Sequence, residues 1–175
     1  MKKFIQSLSL FICCLMFVNC SKTTPEQYFG IAVLNTNLIT GFAGSGMSRQ
    51  LESPSVKTGE NNQTVAMKRN EVMKDKINSI SENFEKVKDL KETEDTKEMI
   101  GASLALYEFV LPVYKTDYSE LAKLYDDGAS KEVTESKTKE IYDKYFSRYN
   151  ELYDNLISIG KVYAEKNNIK VHWGN

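Results

Sequence analysis

Histidine occurs once in these 175 residues, as His172, and that scarcity excludes more chemistry than any motif suggests. A ferritin-like diiron site needs two Glu-x-x-His motifs with further inward carboxylates, but Ile169 stands three residues before the sole histidine. No Cys-x-x-Cys-His string is present to attach haem, and three cysteines are too few for a thiolate zinc site. The Gly-x-Ser-x-Gly elbow of serine hydrolases is missing as well. The expectation is a protein without metal, cofactor or catalytic residues, not an enzyme, with His172 exposed or packed in the tail. Charge of one sign is also lacking: 23 basic residues face 24 acidic ones, so nothing suggests a nucleic-acid partner.

An apolar run long enough to span a bilayer, about twenty residues, is absent too. Lys2 and Lys3 precede an almost uncharged stretch of about fifteen residues, Phe4 to Val18, which ends at Asn19, Cys20 and Ser21 before the polar Lys22-Thr23-Thr24. That is the layout of a cleavable export signal. Phe17-Val18-Asn19-Cys20 resembles the lipobox of bacterial lipoproteins, with Phe17 where leucine is usual and Asn19 where a small residue is usual. The resemblance covers about the first twenty-two residues. It implies cleavage before Cys20, lipid on its thiol and amine, and a protein held by that lipid in the bacterial cell envelope, at the outer membrane. Stable anchoring takes two or more acyl chains, and a fully processed lipoprotein carries three.

Cys13 and Cys14 would leave with the signal, so the mature chain would keep one cysteine, consumed by lipid, and form no disulfide. Without Lys2 and Lys3 the 23 basic residues fall to 21 against 24 acidic, a formal charge of −3. The remaining 156 or so residues suffice for one domain with a substantial core. The expected division is a signal peptide over 1–19, a lipidated tether over 20–24, a helical domain over 25–166 and a tail over 167–175.

Four long helices are expected in the domain, giving an all-α, up-down-up-down four-helix bundle about 45 Å long at 1.5 Å per residue. Thr24-Pro25-Glu26-Gln27 has the residues of a capping box with proline at the first turn, which starts a helix reaching about Glu52. Ser53 to Asn62, with Pro54 and Gly59, reads as a loop. The second helix is expected over about Thr64 to Lys91, with Met73, Ile77, Ile80, Phe84 and Val87 in a four-three rhythm. The third, about Thr96 to Tyr125, repeats that rhythm from Ile100 to Tyr125, with a kink at Pro112. Asp126-Asp127-Gly128 closes it, Ser130 caps the fourth, and Ile141, Tyr145, Arg148 or Tyr149, Leu152, Leu156, Ile159 and Tyr163 carry the seam towards Lys166. Ile169 to Asn175 alternates in polarity, as a short extended tail would.

Two local biases remain. Gly41-Phe42-Ala43-Gly44-Ser45-Gly46 has the opening spacing of a phosphate loop, but Met47 and Ser48 follow where Lys and Ser or Thr would be needed. Arg49 stands where a dinucleotide fingerprint needs its third glycine, and no strand precedes it. Glycine costs about 1 kcal/mol per helical position, so this cluster predicts a break or a close backbone approach, with a ligand against bare backbone as the other reading. Tyrosine crowds the last two helices. Buried tyrosines ordinarily place the ring in the core and find the hydroxyl a partner. The functional alternative is a polar-lined cavity near the Pro112 kink, with Tyr107, Tyr114, Tyr118, Tyr145 and Tyr149 as candidate ligand-binding residues. Two functions follow: a non-catalytic envelope lipoprotein that binds a protein partner or organises an assembly, or a lipoprotein that holds a small molecule or lipid among these tyrosines.

Overall fold

A computed structural model describes residues 23–53 and 55–173; the export-signal segment and Cys20 lie outside the described residues. The described chain is mostly α-helical with one small hairpin. Its helices are α1 (Pro25–Ala32), α2 (Ser45–Glu52), α3 (Arg69–Lys88), α4 (Lys97–Val113), α5 (Ser119–Asp126) and α6 (Lys131–Lys166). The hairpin strands are β1 (Val56–Thr58) and β2 (Thr64–Ala66), paired antiparallel with Lys57 opposite Val65.

The capping box forms as its residues dictate. Gln27 N–H donates to Thr24 Oγ1 at 3.3 Å, and Thr24 N–H donates to Gln27 Oε1 at 2.9 Å. Instead of one helix to Glu52, however, the chain makes α1, a 3-10 helix over Leu34–Ile39, a turn through the glycine cluster, and then α2. The cause is local. Gly41 takes φ +81°, where a side chain is strained, and Ala43 follows at φ 54°. The turn also folds Gly41 against Gly46: a Cβ on either would come within 3.3 Å of the other's Cα. Bare backbone therefore turns the chain between the 3-10 helix and α2, while α1 has already given way to the 3-10 helix at Leu34.

The second expected helix starts later than its sequence rhythm implies. Thr64 to Ala66 pair with Val56 to Thr58, and α3 begins at Arg69. Left-handed Asn61 and Asn62, at φ 58° and 59°, tighten the hairpin end, a conformation asparagine tolerates better than most residues. This hairpin occupies most of the expected loop. The start of α3 is capped across the fold, since Asp126 at the end of α5 accepts from Arg69 N–H at 2.8 Å and Asn70 N–H at 3.0 Å. Asp126→Ala removes both bonds and is expected to cost about 1–2 kcal/mol, read as a lowered midpoint in thermal unfolding followed by circular dichroism.

The third expected helix forms as α4 and α5 with a local widening between them. Pro112 has no N–H to donate, and immediately beyond it Tyr114–Tyr118 form a π turn, after which α5 continues. Ser119 Oγ donates to the Tyr114 carbonyl at 3.0 Å. Gly128, at φ +73°, ends the run with Ala129 N–H returning to the Leu124 carbonyl at 2.9 Å. The four-three seams are buried largely as their spacing predicts. Met73, Ile80 and Val87 of α3, Ile100, Tyr107 and Leu111 of α4, and Ile141, Tyr149, Leu152 and Leu156 of α6 enter one core.

The α1-to-α2 segment passes antiparallel to α3, as Tyr28 Oη donates to the Lys91 carbonyl at 2.8 Å, Asn35 meets Asn83 at 3.0 Å, and Arg69 Nε donates to the Leu51 carbonyl at 3.2 Å. It also runs antiparallel to α6, with Val33 against Gly160 and Ile39 against Tyr149. Thr24 therefore lies at one end of the molecule and the hairpin at the other. Beyond α6 the tail alternates as expected: Ile169, Val171 and Trp173 are partly buried while Lys170 and His172 are exposed, and Trp173 meets Phe29 edge-on at 5.8 Å.

Candidate functional site

Phe42, fully buried, sits where the sequence suggests a tyrosine-lined cavity. The turn around Gly41 drives its ring between the helices, where it meets Tyr114 at 5.4 Å, Tyr118 at 5.8 Å, Tyr145 at 6.4 Å and Tyr149 at 5.1 Å between ring centroids. Phe109 closes the cluster at 6.1 Å. Four of the five candidate tyrosines thus converge, but on a side chain of their own chain. Tyr107 lies elsewhere, against Phe84 at 6.0 Å, and its buried hydroxyl has no hydrogen-bond partner among the described residues.

Hydroxyl partners explain how these rings tolerate burial. Tyr118 Oη accepts from Ala43 N–H at 2.8 Å, and Tyr149 Oη donates to the Ile39 carbonyl at 3.0 Å. Both bonds hold the broken first segment to the rest. Burial pushes the Tyr118 hydroxyl up to about 12, against a smaller opposing effect of the Ala43 bond. It likewise raises Tyr107 and Tyr149 and carries Tyr114 well above its ordinary value. These phenols stay protonated at neutral pH, acting as hydrogen-bonding struts and not as bases.

Tyr145 is fixed by a charged cluster that sequence reasoning missed. Its hydroxyl donates to Asp117 Oδ2 at 3.0 Å, on the π turn. Lys137, only 11% exposed, reaches Asp117 at 3.3 Å, Glu120 at 2.7 Å and Glu140 at 3.4 Å. Burial alone would raise the Asp117 carboxyl; bonds from Tyr145, Thr116 and Lys137, with the Lys137 charge, outweigh it and hold the group below its usual value. The only sequence cue was an acid and a lysine on helix faces already rich in both.

Open space lies on the other side of the glycine turn. A groove of about 640 Å³ separates Gly44, Ser45 and Glu52 from the Glu135–Phe146 stretch of α6. Its size falls within the range of small-molecule sites. Tyr142 and Phe146 form one wall, stacked at 4.5 Å and 21°, and Tyr142 remains 46% exposed. The glycine turn forms the other. The two residues are an aromatic pair at i,i+4, and Tyr142 stands one position off the Ile141-Tyr145-Tyr149 seam, which is the signal that could have found it.

Among the described residues no group of three or more His, Cys, Asp or Glu side chains is arranged to hold a metal, and no helix is long and apolar enough to cross a membrane. Compared with protein-family models, curated proteins and solved structures, the chain matches none.

Proposed function

We propose that this protein is a lipid-anchored lipoprotein of the bacterial envelope, at the outer membrane, whose helical domain binds a ligand or partner without catalysing a reaction. Its architecture is read as an up-down-up-down four-helix bundle in which a glycine turn interrupts the first helix. The observation that carries the binding role is the open groove beside Tyr142 and Phe146. Support for the anchor is the signal layout ending at Cys20, four residues before the Thr24 cap.

Together these features orient the molecule. The short tether meets the domain where Thr24, Lys91 and the end of α6 gather, while Glu52, Glu135 and the exposed hairpin lie at the opposite end. From Phe146 to Tyr163 along α6 is about 25 Å at 1.5 Å per residue. With the anchor at Cys20, the groove lies at the end of the domain farther from the bilayer. The ligand reading also moves: Phe42 fills the space among the tyrosines, so the groove replaces the tyrosine-lined cavity as the binding place.

Intact mass of protein purified from its native membrane tests the anchor. A chain beginning at Cys20 and carrying acyl mass that disappears in Cys20→Ala is the expected result. An unmodified wild-type chain overturns the lipoprotein assignment and leaves an exported helical protein with a free thiol.

A further inference from the structure

Resting on the groove as the binding place, we propose that its ligand is a flat, cationic aromatic amphiphile, with the ring body against Tyr142 and Phe146 and the positive group between Glu52 and Glu135. The groove has a direction. Along α2 it runs from the small residues Gly44 and Ser45, the latter's hydroxyl held by Arg49 at 3.0 Å, out to Glu52; along α6 it runs from the Tyr142–Phe146 stack out to Glu135. Aromatic surface therefore lies at the inner end and both carboxylates at the outer end.

Charge supports this polarity. The one basic residue lining the groove, Lys139, is paired with Asp143 on its own helix, one turn on. Glu135 is held by Lys131 at 3.5 Å, between side chains 63% and 81% exposed, an arrangement worth little in water and readily exchanged. Among the described residues Glu52 makes no ion pair, and Arg69 nearby is turned to the Leu51 carbonyl. At the inner end, the amino terminus of α2 has no side-chain cap and no acidic residue in its first turn, so its dipole opposes a cation there. A positive group is favoured only at the outer end.

The rings select the body. Because Tyr142 and Phe146 stack on each other, what they leave to the groove is an outer face and the ring edges, opposite the small residues Ala43, Gly44 and Ser45; a cationic plate on that face gains a cation–π attraction of about 0.5–1 kcal/mol at an exposed site. An aliphatic chain would gain burial but neither stacking nor charge pairing.

Fluorescence titration of the purified mature protein with proflavine, a cationic tricyclic dye, tests the assignment, with anthracene carboxylate and palmitate as anionic ring and chain probes. The expected result is one saturable proflavine site, at least about tenfold weaker for either anion. Joint Glu52→Gln and Glu135→Gln should weaken proflavine about five- to tenfold, and Tyr142→Ala about two- to fivefold. All three residues are exposed, and circular dichroism checks that each variant stays folded. If either anion binds as tightly as proflavine, or the double glutamine variant binds proflavine unchanged, the cationic ligand is overturned; the groove stands where Tyr142→Ala still weakens binding and falls where it does not. If none of the three probes binds, groove and ligand fall together.

Discussion

Replacing Phe42 with alanine is expected to lower stability by about 3–5 kcal/mol, the range for deleting a buried aromatic side chain. Typical domains have about 5–15 kcal/mol in total, so this one change leaves little in reserve. The large effect follows from position. The ring touches aromatic residues of α4, the π turn and α6, while its own backbone belongs to the segment that Tyr118 and Tyr149 tie down. Urea unfolding should show a lower midpoint with an unchanged slope. The variant would also possess the cavity that the tyrosine pattern suggests, so toluene should raise its midpoint and leave the wild type's unmoved. A loss below about 1 kcal/mol would mean that neighbouring rings close over the gap, and Phe42 would not be the keystone of that region.

Asp117→Ala is expected to cost about 1–3 kcal/mol, because it leaves Tyr145 Oη and part of the Lys137 shell without an acceptor. Its pH dependence separates this from a simple packing loss. The folded carboxyl lies below its ordinary value of 3.8, so its contribution is fully present above that value and is lost as pH falls through the lower, folded one. Wild type and variant should therefore differ by a constant amount from neutral pH to about 4 and converge below it. Lys137 works in the opposite sense. Burial would lower it, but Glu120 and Asp117 hold it above 10.5, so its contribution is present below that value and lost at strongly alkaline pH. Parallel acid unfolding curves with no convergence would remove Asp117 from the charged lock.

The sequence made the helical seams legible because their cause is local and repetitive. One apolar residue every three or four positions produces a buried face whatever lies opposite, and Ile80, Tyr107 and Leu156 are buried accordingly. The glycine cluster was readable as a break or close approach, and it is both. Which ring that break delivers, and where, depends on the direction taken after Gly41, set by its contact with Gly46. That is tertiary information. The hairpin failed for a related reason: Thr64 to Ala66 gain their strand partner only when Asn61 and Asn62 turn the chain back. The candidate tyrosines were recognised as a group, but a list of residues cannot tell a lined cavity from a filled one. Asp117 and Lys137 were hidden among 47 charged residues, since burial, not spacing, distinguishes them.

Gly41 and Gly46 meet backbone to backbone, with Phe42 packed beneath them, so bending the elbow between the 3-10 helix and α2 would break buried contacts. The groove it opens exists before anything enters. For the proposed ligand, association then needs no closing step: observed binding rates should rise linearly with ligand concentration without reaching a plateau, and differences in affinity among related ligands should appear chiefly in how long each one stays.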